Sequence, residues 1–256
     1  MEPIKSYGLE KVHRQLLIVL DEFDRICRDN QIYYSLHGGT LLGAERNHKI
    51  IPWDDDIDVS MKRSEYKKFQ AIAKQVMPPF SLDEESMWFP RFVMKTNGEV
   101  FYIDILIWDY ISENKVSQFV KINLLRAFQG MLKPKIEYER FGLFNKFLLF
   151  FTHVVGKLFS RRKKLKWFRD IEENRFLGSK VYIHRSNDAF KDVSYIFDKN
   201  YMDEYMDIEL EGKQYMVNER YHEFLVCSYG EDYLIPPPSS ERNPRHKSFR
   251  ENLLGS

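Results

Sequence analysis

The spacing of apolar residues predicts alternating helices and strands in the first part of the chain. Over residues 9–29 apolar side chains recur every three or four positions with charges between them, which predicts an amphipathic helix. A second helix is predicted over residues 65–76, with Ser64 as its N-cap. Short apolar and aromatic runs predict strands at residues 32–37, 57–61, 89–95 and 100–108.

Glycine and proline positions indicate how these elements connect. Asn97-Gly98 predicts a hairpin between the last two strands. Gly38-Gly39 ends the first strand, and a helix is expected to begin over residues 40–44. Pro52 is incompatible with a helix interior, so an extended segment is expected to begin near it. This order of elements predicts an α/β (α+β) fold with a mixed sheet at its core.

Composition is typical of a globular cytoplasmic protein. Hydrophobic residues make up 43% and charged residues 30% of the 256 positions, and the formal net charge of +1 argues against a nucleic-acid coat over the whole chain. The two cysteines, Cys27 and Cys227, exclude a disulfide scaffold and are expected to be reduced core residues. The N-terminal residues contain no apolar run typical of a signal peptide. The uncharged run at residues 147–156 is about half of the ~20 residues that a membrane-spanning helix needs.

The near-neutral net charge hides a basic segment in an acidic chain. Residues 115–180 contain sixteen Lys and Arg but five Asp and Glu, a net charge of +11, so the other residues sum to −10. The segment is predicted to be mostly helical, with an apolar stretch at residues 141–159 followed by basic residues at 161–166. Such a helix suits an anionic membrane surface. A core helix with a solvated basic end is an equally good interpretation, and nucleic acid is a third that no aromatic–basic motif supports.

An acidic run at residues 54–58 is the first candidate for chemistry. On a strand, Asp54, Asp56 and Asp58 point to one face, where their mutual repulsion is relieved by a divalent cation such as Mg²⁺. The alternative is an exposed acidic turn. Trp53 and Ile57 argue against that alternative, because they embed the run among apolar positions.

Two further features extend this candidate site. Asp104 lies in the middle of an apolar strand, and strand pairing is expected to bring it beside Asp56 and Asp58. Its alternative role is a hydrogen bond to a neighbouring backbone group or to an arginine. The Gly38-Gly39 turn precedes a helix N-terminus, where backbone N–H groups bind phosphate, although such a pair of glycines is equally compatible with a simple turn.

A glycine-rich loop, an Asp-x-Asp pair and a third Asp on a later strand form the constellation of nucleotidyltransferase-type folds. In more detail the chain resembles the LicD family of phosphocholine transferases, which is related to the fukutin-type ribitol-phosphate transferases. The resemblance covers roughly residues 10–110 and 205–248 and rests on these matches: residues 37–44, Arg46, residues 51–58, Glu211-Gly212, residues 229–233, Pro236-Pro237 and His246.

The resemblance implies a reaction and a set of site residues. Family members transfer the phospho-alcohol of a CDP-activated donor to a sugar hydroxyl and release CMP. In this chain Asp56 and Asp58 would hold Mg²⁺ or Mn²⁺, and Asp104 would complete the metal site or accept the proton of the attacking hydroxyl. The implied phosphate-binding residues are Gly38, Gly39, Thr40, Arg46 and Lys49.

The chain is therefore expected to be a LicD-type phosphotransferase of the cytoplasm. Its predicted parts are a nucleotidyltransferase-like catalytic core at residues 1–110, a helical basic insert at 111–200 and a C-terminal segment at 201–256 that packs on the core. The expected partners are a CDP-activated small alcohol, a glycan acceptor that is lipid-linked, and the inner face of an anionic membrane, with no nucleic acid. A nucleotidyltransferase that moves an NMP from an NTP, and a non-catalytic binding module, are the alternatives.

Aromatic residues offer one more candidate role. Trp53, Tyr102 and Trp108 would suit a cage for a trimethylammonium head group, because cation–π contacts favour such groups. Core packing is the alternative for each ring.

Overall fold

Helix α1 (Glu10–Asp29) forms where the apolar periodicity predicts it in the computed structural model, which describes residues 7–133, 152–173 and 180–242. Its apolar face is buried, with Phe23 at the centre. The Phe23 ring lies 4.7 Å from the Phe69 ring, 5.1 Å from that of Tyr34 and 6.1 Å from that of Phe92. The predicted helix is confirmed, and it anchors an aromatic core.

The chain divides into two compact units. The first comprises the described parts of Met1–Leu82, Arg91–Ile105 and Met202–Ser256, and the second comprises those of Asp83–Pro90 and Leu106–Tyr201. The first unit thus combines most of the predicted core with the predicted C-terminal segment.

A sheet runs through the first unit. In spatial order its strands are β1 (Ser35–His37), β2 (Asp58–Lys62), β5 (Glu99–Ile111), β4 (Arg91–Thr96) and β3 (Phe80–Asp83). Strands β1 and β2 are antiparallel, and His37 faces Asp58. Strands β4 and β5 are also antiparallel, and Arg91 faces Asp104. These registers bring residues that are distant in sequence to neighbouring positions, as the predicted α/β fold requires.

The hairpin predicted at Asn97-Gly98 joins β4 to β5. Both residues have positive φ, 49° and 78°, which is the conformation that such two-residue turns require. Gly adopts it readily because it has no Cβ to crowd the backbone, and Asn adopts it at lower cost than most residues because its short polar side chain can form local hydrogen bonds.

Two helices of the first unit begin elsewhere than predicted. Helix α2 (Gly38–Asn47) begins directly at Gly38, whereas its start was expected over residues 40–44. Helix α3 (Arg63–Ala73) has Lys62 at its N-cap position and no side-chain cap, so the prediction of Ser64 as N-cap is wrong. An extended Lys62 backbone leads straight from β2 into α3, which places Ser64 inside the first turn.

The C-terminal part of the first unit is a hairpin followed by a helix. Strands β8 (Tyr205–Leu210) and β9 (Lys213–Asn218) pair in antiparallel fashion and are joined at Glu211-Gly212, both with positive φ. Helix α6 (Tyr221–Tyr229) carries Cys227, which is exposed, so the expectation of a core position is wrong for this residue.

Helices and strands make up the second unit. Helices α4 (Lys115–Leu132) and α5 (Arg161–Glu173) pack around buried Leu125 and Phe168. Strand β6 (Tyr182–Arg185) pairs with residues 108–111 of β5 and with β7 (Ile196–Asp198). The predicted helical insert therefore also contains strands, and much of its apolar stretch, residues 141–151, lies outside the described residues.

Part of the basic cluster on α5 has an internal role. The Arg161 side chain donates to the carbonyl oxygens of Leu132, Glu85 and Ser86, and Lys164 Nζ donates to Met131 O at 2.8 Å. The carbonyl groups at the C-terminal end of α4 lack partners within that helix, so these cations satisfy them. In the described parts of the chain, no helix has both the length and the apolar character needed to cross a bilayer.

Charged and polar groups are buried together in the second unit. Lys121 is fully buried, and its Nζ donates to Tyr110 O at 2.9 Å and to Glu172 O at 2.8 Å. His184 is also fully buried; its Nδ1 donates to Val193 O at 2.9 Å. Burial first, and then the charge of nearby Lys121, lower the pKa of His184 to about 3, so the ring is neutral at physiological pH.

His184→Gln is expected to flatten the pH dependence of stability. Between about pH 3 and the ordinary pKa of 6.5, the unfolded chain binds a proton at His184 that the folded chain does not. The free energy of unfolding therefore falls with decreasing pH by up to about 1.4 kcal/mol per pH unit from this site alone. Urea titrations of both proteins at about pH 5 and about pH 7 measure the difference, and equal losses in the two proteins would contradict this account.

Candidate functional site

The site is built where β1 passes directly into α2. His37 ends β1 in an extended conformation, and Gly38 begins the helix with φ +55°. The His37 ring packs on Phe224, with centroids 4.2 Å apart. Thr40 is buried, and its Oγ1 accepts a hydrogen bond from the Asp58 N–H at 3.0 Å. Thr40 thus fixes the start of β2 against the first turn of α2.

Two carboxylates lie against the glycines at the start of α2. A Cβ on Gly39 would overlap with Asp54 Oδ2, and a Cβ on Gly38 would come within 2.7 Å of Asp58 Oδ2. A side chain at Gly39 would therefore displace the Asp54 carboxylate, and one at Gly38 would displace that of Asp58 and also strain the backbone, whose φ is +55°. The partial positive charge of a helix N-terminus favours carboxylates at this place. The role of Gly38 and Gly39 in phosphate binding stays a prediction.

Three consecutive aspartates form an acidic cluster. Asp54, Asp55 and Asp56 each offer a carboxylate oxygen, and these oxygens all lie within 4.8 Å of one another. The Asp54 N–H donates to Ile51 O at 2.8 Å, which makes a tight turn ahead of the cluster. The cluster precedes β2, so the argument that alternate aspartates share one face of a strand is wrong for Asp54 and Asp56. A turn brings them together instead.

Burial distinguishes the members of this cluster. Asp55 is only 1% exposed, whereas Asp54 and Asp56 are partly exposed. The backbone of the cluster is held from α1, because His13 Nε2 donates to Asp54 O at 2.7 Å. Carboxylate oxygens at this separation are the donor set that Mg²⁺ or Mn²⁺ prefers. The cluster contains Asp56 of the predicted metal ligands.

Asp104 lies on β5 in contact with an arginine that the sequence did not single out. Arg91 Nε donates to Asp104 Oδ1 at 2.8 Å, and both side chains are largely buried. The Arg91 guanidinium also stacks over the Tyr102 ring, 3.9 Å from its centroid. The register of β4 and β5 produces this pair, because Arg91 and Asp104 are directly opposite. Arg91 thus forms the arginine contact considered as the alternative for Asp104.

The acidic groups of the cluster and of β5 act on the same ring. Burial first, and then the charges of Asp104, Asp56 and Asp55, raise the pKa of Tyr102 to about 12, while Arg91 opposes this shift. Tyr102 is therefore neutral at physiological pH, and charges of both segments act on it.

Arg46 and Lys49 differ in their surroundings. Arg46 lies in the last turn of α2, and its Nη2 donates to Tyr233 O. Lys49 is exposed, and its backbone carbonyl lies so close to Gly43 that a Cβ there would overlap with it. The side-chain role predicted for Lys49 stays a prediction, while its backbone shapes the loop after α2.

Glu211 is a positioning residue that sequence reasoning noted only as part of a motif. Its Oε1 accepts a hydrogen bond from the Ile50 N–H at 3.1 Å, and its own N–H donates to His48 O at 2.8 Å. The turn of the second hairpin thus holds the loop between α2 and the acidic cluster. His246, from the same matched region, lies outside the described residues.

Each ring of the proposed aromatic cage already stacks with an arginine of the protein. The distances from guanidinium carbon to ring centroid are 5.3 Å for Arg242 and Trp53, 3.9 Å for Arg91 and Tyr102, and 5.0 Å for Arg185 and Trp108. Cation–π contacts are therefore present, but the cations belong to the chain itself. Trp108 is buried in the second unit, as the packing alternative expects.

Comparisons with known proteins agree with these motifs. Residues 31–135 match the family model described as LicD/FKTN/FKRP, nucleotidyltransferase domain. The chain is 28% identical over 271 residues to the lipopolysaccharide cholinephosphotransferase LicD of Haemophilus influenzae, and the match covers 95% of this chain and 97% of that protein. The predicted resemblance to the LicD family is confirmed.

Two further similarities are shorter. An uncharacterized protein of Rickettsia typhi is 36% identical over 73 residues, which cover 28% of this chain and 24% of that protein. An uncharacterized protein of Rickettsia prowazekii is 33% identical over 75 residues, which cover 29% of this chain and 28% of that protein.

Gly39→Ala is expected to destabilise the chain, although helix propensity alone predicts a gain of about 1 kcal/mol. The new methyl group would displace the Asp54 carboxylate, at a cost of about 1–3 kcal/mol. Chemical denaturation measures the sign, and calorimetry with Mn²⁺ measures the effect on the cluster. Gly98→Ala is the control. An alanine at its positive φ lowers the free energy of unfolding by about 1–2 kcal/mol. The new Cβ would meet open space, far from Asp54 in sequence, so Mn²⁺ binding should not change. A stabilised Gly39→Ala variant would contradict the steric explanation.

Proposed function

We propose that the chain transfers phosphocholine, or a similar phospho-alcohol, from a CDP-activated donor to a sugar hydroxyl of a cell-surface glycan and releases CMP, because residues 31–135 match the family model described as LicD/FKTN/FKRP, nucleotidyltransferase domain. The observation that carries this proposal is the similarity, over 95% of this chain, to a Haemophilus influenzae protein named as a lipopolysaccharide cholinephosphotransferase. The matched region, residues 31–135, includes the acidic cluster, Asp58 and Asp104.

The acidic cluster fits a divalent cation. Three carboxylates within 4.8 Å of one another supply hard oxygen ligands, and Asp56 is common to this set and to the ligands predicted from the sequence. When bound, Mg²⁺ or Mn²⁺ would neutralise charge on the phosphate oxygens of the donor. Asp54, Asp55 and Asp56 are the residues proposed to hold it, while the carboxylate of Asp58, at the start of β2, lies against Gly38.

The reaction is a displacement at the phosphorus atom that carries the alcohol. The sugar oxygen forms a new bond to this phosphorus, the bond to the bridging oxygen breaks, and CMP leaves with that oxygen. The protein contributes mainly orientation and charge neutralisation, as in other phosphoryl transfers. Each residue that fixes the start of α2 thus bears on the rate, because a small displacement of reacting groups is costly.

The proton of the sugar hydroxyl needs an acceptor. Asp104 is the residue proposed for it, and the Arg91 contact to Oδ1 orients its carboxylate. The alternative assignment of Asp104 as a metal ligand leads to a different expectation: Asp104→Asn would then weaken metal binding and not only turnover.

Transfer of an NMP from an NTP is the second candidate activity. It would use the same acidic residues, so the products discriminate between the two. A CDP-activated donor yields CMP, whereas NMP transfer from an NTP yields pyrophosphate.

Asp56→Asn is expected to reduce CMP release from CDP-choline by at least about 100-fold, because the loss of one carboxylate from the cluster removes charge opposite the donor phosphates. The assay incubates the purified chain with Mg²⁺, a glycan acceptor and, in turn, CDP-choline, CDP-ribitol and CDP-glycerol. Asp207→Asn is the matched control, because it makes the same chemical change at an exposed carboxylate paired with Arg28. The proposal fails if no donor yields CMP, or if both variants release it at the wild-type rate.

We also propose that α5 contacts an anionic membrane surface, as a lipid-linked acceptor would require. Since Arg161 and Lys164 bind carbonyl groups, the exposed cations Arg162, Lys163 and Lys166 are the ones available to lipid. Leu158, 79% exposed just before α5, adds apolar surface. Basic residues near such a surface contribute about 1 kcal/mol each.

Replacement of Arg162, Lys163 and Lys166 together by Gln is expected to reduce co-sedimentation with anionic vesicles by about 100-fold in partition coefficient, because about 3 kcal/mol is lost. CMP release from the donor should not change. Replacement of exposed Lys67, Lys74 and Lys95 of the first unit by Gln is the charge-matched control. Equal sedimentation of both triple variants and the wild type would remove the membrane contact.

A further inference from the structure

The segment that follows α6, residues 230–242, is called here the C-terminal strap. It includes residues 230–233 and Pro236-Pro237, which belong to the second motif matched in the sequence. The strap is part of the first unit of the chain, as is the acidic cluster. Its first and last residues contact different segments of that unit, so it connects places that are distant in sequence.

A closed ring of contacts fixes the start of the strap on α2. The Nε2 of His222 lies 3.8 Å from Glu45 Oε1, so a proton on Nε2 faces that carboxylate. The other ring nitrogen, Nδ1, then accepts from the Tyr233 hydroxyl at 2.5 Å. Arg46, the neighbour of Glu45, donates through Nη2 to Tyr233 O and closes the ring. Both the side chain and the backbone of Tyr233 are therefore held.

The middle of the strap is stiff. Three consecutive prolines, residues 236–238, have their φ angles fixed by the pyrrolidine ring, and proline-rich segments act as semi-rigid spacers. After them, the Glu241 N–H donates to Pro238 O at 2.9 Å, and Arg242 Nε donates to Pro237 O at 2.8 Å. The anchor at Tyr233 therefore restrains the position of Arg242 as well.

The end of the strap contacts the turn that carries the acidic cluster. The Arg242 guanidinium lies over the Trp53 ring, 5.3 Å from its centroid, and Tyr7 packs on the same indole with ring centroids 5.8 Å apart. Trp53 is the third residue of a β-turn, which the bond from the Asp54 N–H to Ile51 O closes at 2.8 Å. Because Asp54 follows directly, a restraint on the indole is also a restraint on the start of the cluster.

We infer that the strap positions the acidic cluster, with Arg242 as a positioning residue that acts through Trp53. The inference rests on the proposed function for one point, which is the assignment of the cluster as a cation site. Carboxylates that share an ion must stay close together despite their mutual repulsion. Groups behind the ligands supply such restraint in metal sites, and their loss weakens metal binding.

The sign of the effect distinguishes positioning from simple electrostatics. Arg242 is a cation, and a cation near the cluster repels a bound metal ion. If charge were the only effect, removal of Arg242 would leave metal binding unchanged or make it tighter. Positioning predicts the opposite, because the turn at Trp53 loses one of the groups that hold it.

Calorimetric titration of the full chain with Mn²⁺ tests the inference. Arg242→Met, which removes the charge and keeps the length, is expected to raise the Kd about tenfold to a hundredfold. Arg242→Lys should raise it less, because an ammonium group keeps the cation–π contact with the indole. Arg25→Met is the control at an exposed arginine of α1 paired with Glu22, and it should bind Mn²⁺ as the wild type does.

A second pair of variants separates positioning from general stability. Tyr233→Phe removes the hydroxyl bond to His222 but keeps the carbonyl that accepts from Arg46, and it should raise the Kd for Mn²⁺ about twofold to tenfold. Tyr215→Phe removes a comparable hydroxyl bond, to Asp21 at 2.7 Å. It should lower the thermal stability to a similar extent and leave the Kd unchanged.

The outcomes separate this inference from the proposed donor reaction. The inference fails if the wild type does not bind Mn²⁺, if Arg242→Met binds it at least as tightly as the Arg25→Met control, or if Tyr215→Phe weakens binding as much as Tyr233→Phe. It fails in these cases even when CDP-choline yields CMP. If the strap variants bind Mn²⁺ weakly but no CDP-activated donor yields CMP, the positioning role stands and the proposed donor is wrong. Arg242→Lys decides the matter if Arg242→Met does not fold.

Discussion

The close approach of carboxylates to the start of α2 is the constraint on which the site depends. The Asp54 and Asp58 carboxylates lie where a Cβ on Gly39 or Gly38 would stand, so a side chain at either position would displace them. The positive end of the helix favours negative charge at that place. Because Thr40 also accepts a hydrogen bond from the Asp58 N–H, the start of α2 is joined to the start of β2. The acidic cluster lies between these two elements in sequence, so its position depends on this junction.

Local patterns allowed much of the fold to be predicted. The apolar periodicity of α1 and the Asn97-Gly98 turn depend on residues that are close together in sequence, so the sequence alone predicts these elements. The starts of α2 and α3 were not predicted correctly, because neither helix begins with a capping side chain. A glycine at φ +55° begins α2, and an extended Lys62 precedes α3. A turn, rather than a strand, brings the aspartates together, and no periodicity signals such a turn.

Long-range pairs were the part of the site that could not be predicted. Arg91 meets Asp104 only through the register of β4 and β5, which depends on the whole sheet and not on either segment. The basic residues of α5 illustrate the same point. A count of charges treats Arg161 and Arg162 alike, but one of them satisfies backbone carbonyls and the other is exposed. Charge patterns identify candidate basic residues, and packing determines which of their side chains are exposed.

The two hydrogen bonds from Glu211 to the loop at His48 and Ile50 have a consequence for biosynthesis. The loop lies early in the chain, whereas Glu211 follows about 160 residues later, at the turn of the second hairpin. During translation the ribosome must therefore release most of the polypeptide before this support exists. A nascent or prematurely terminated product that lacks the hairpin has the acidic residues but not this support for the loop that precedes them, so the complete site forms late in synthesis.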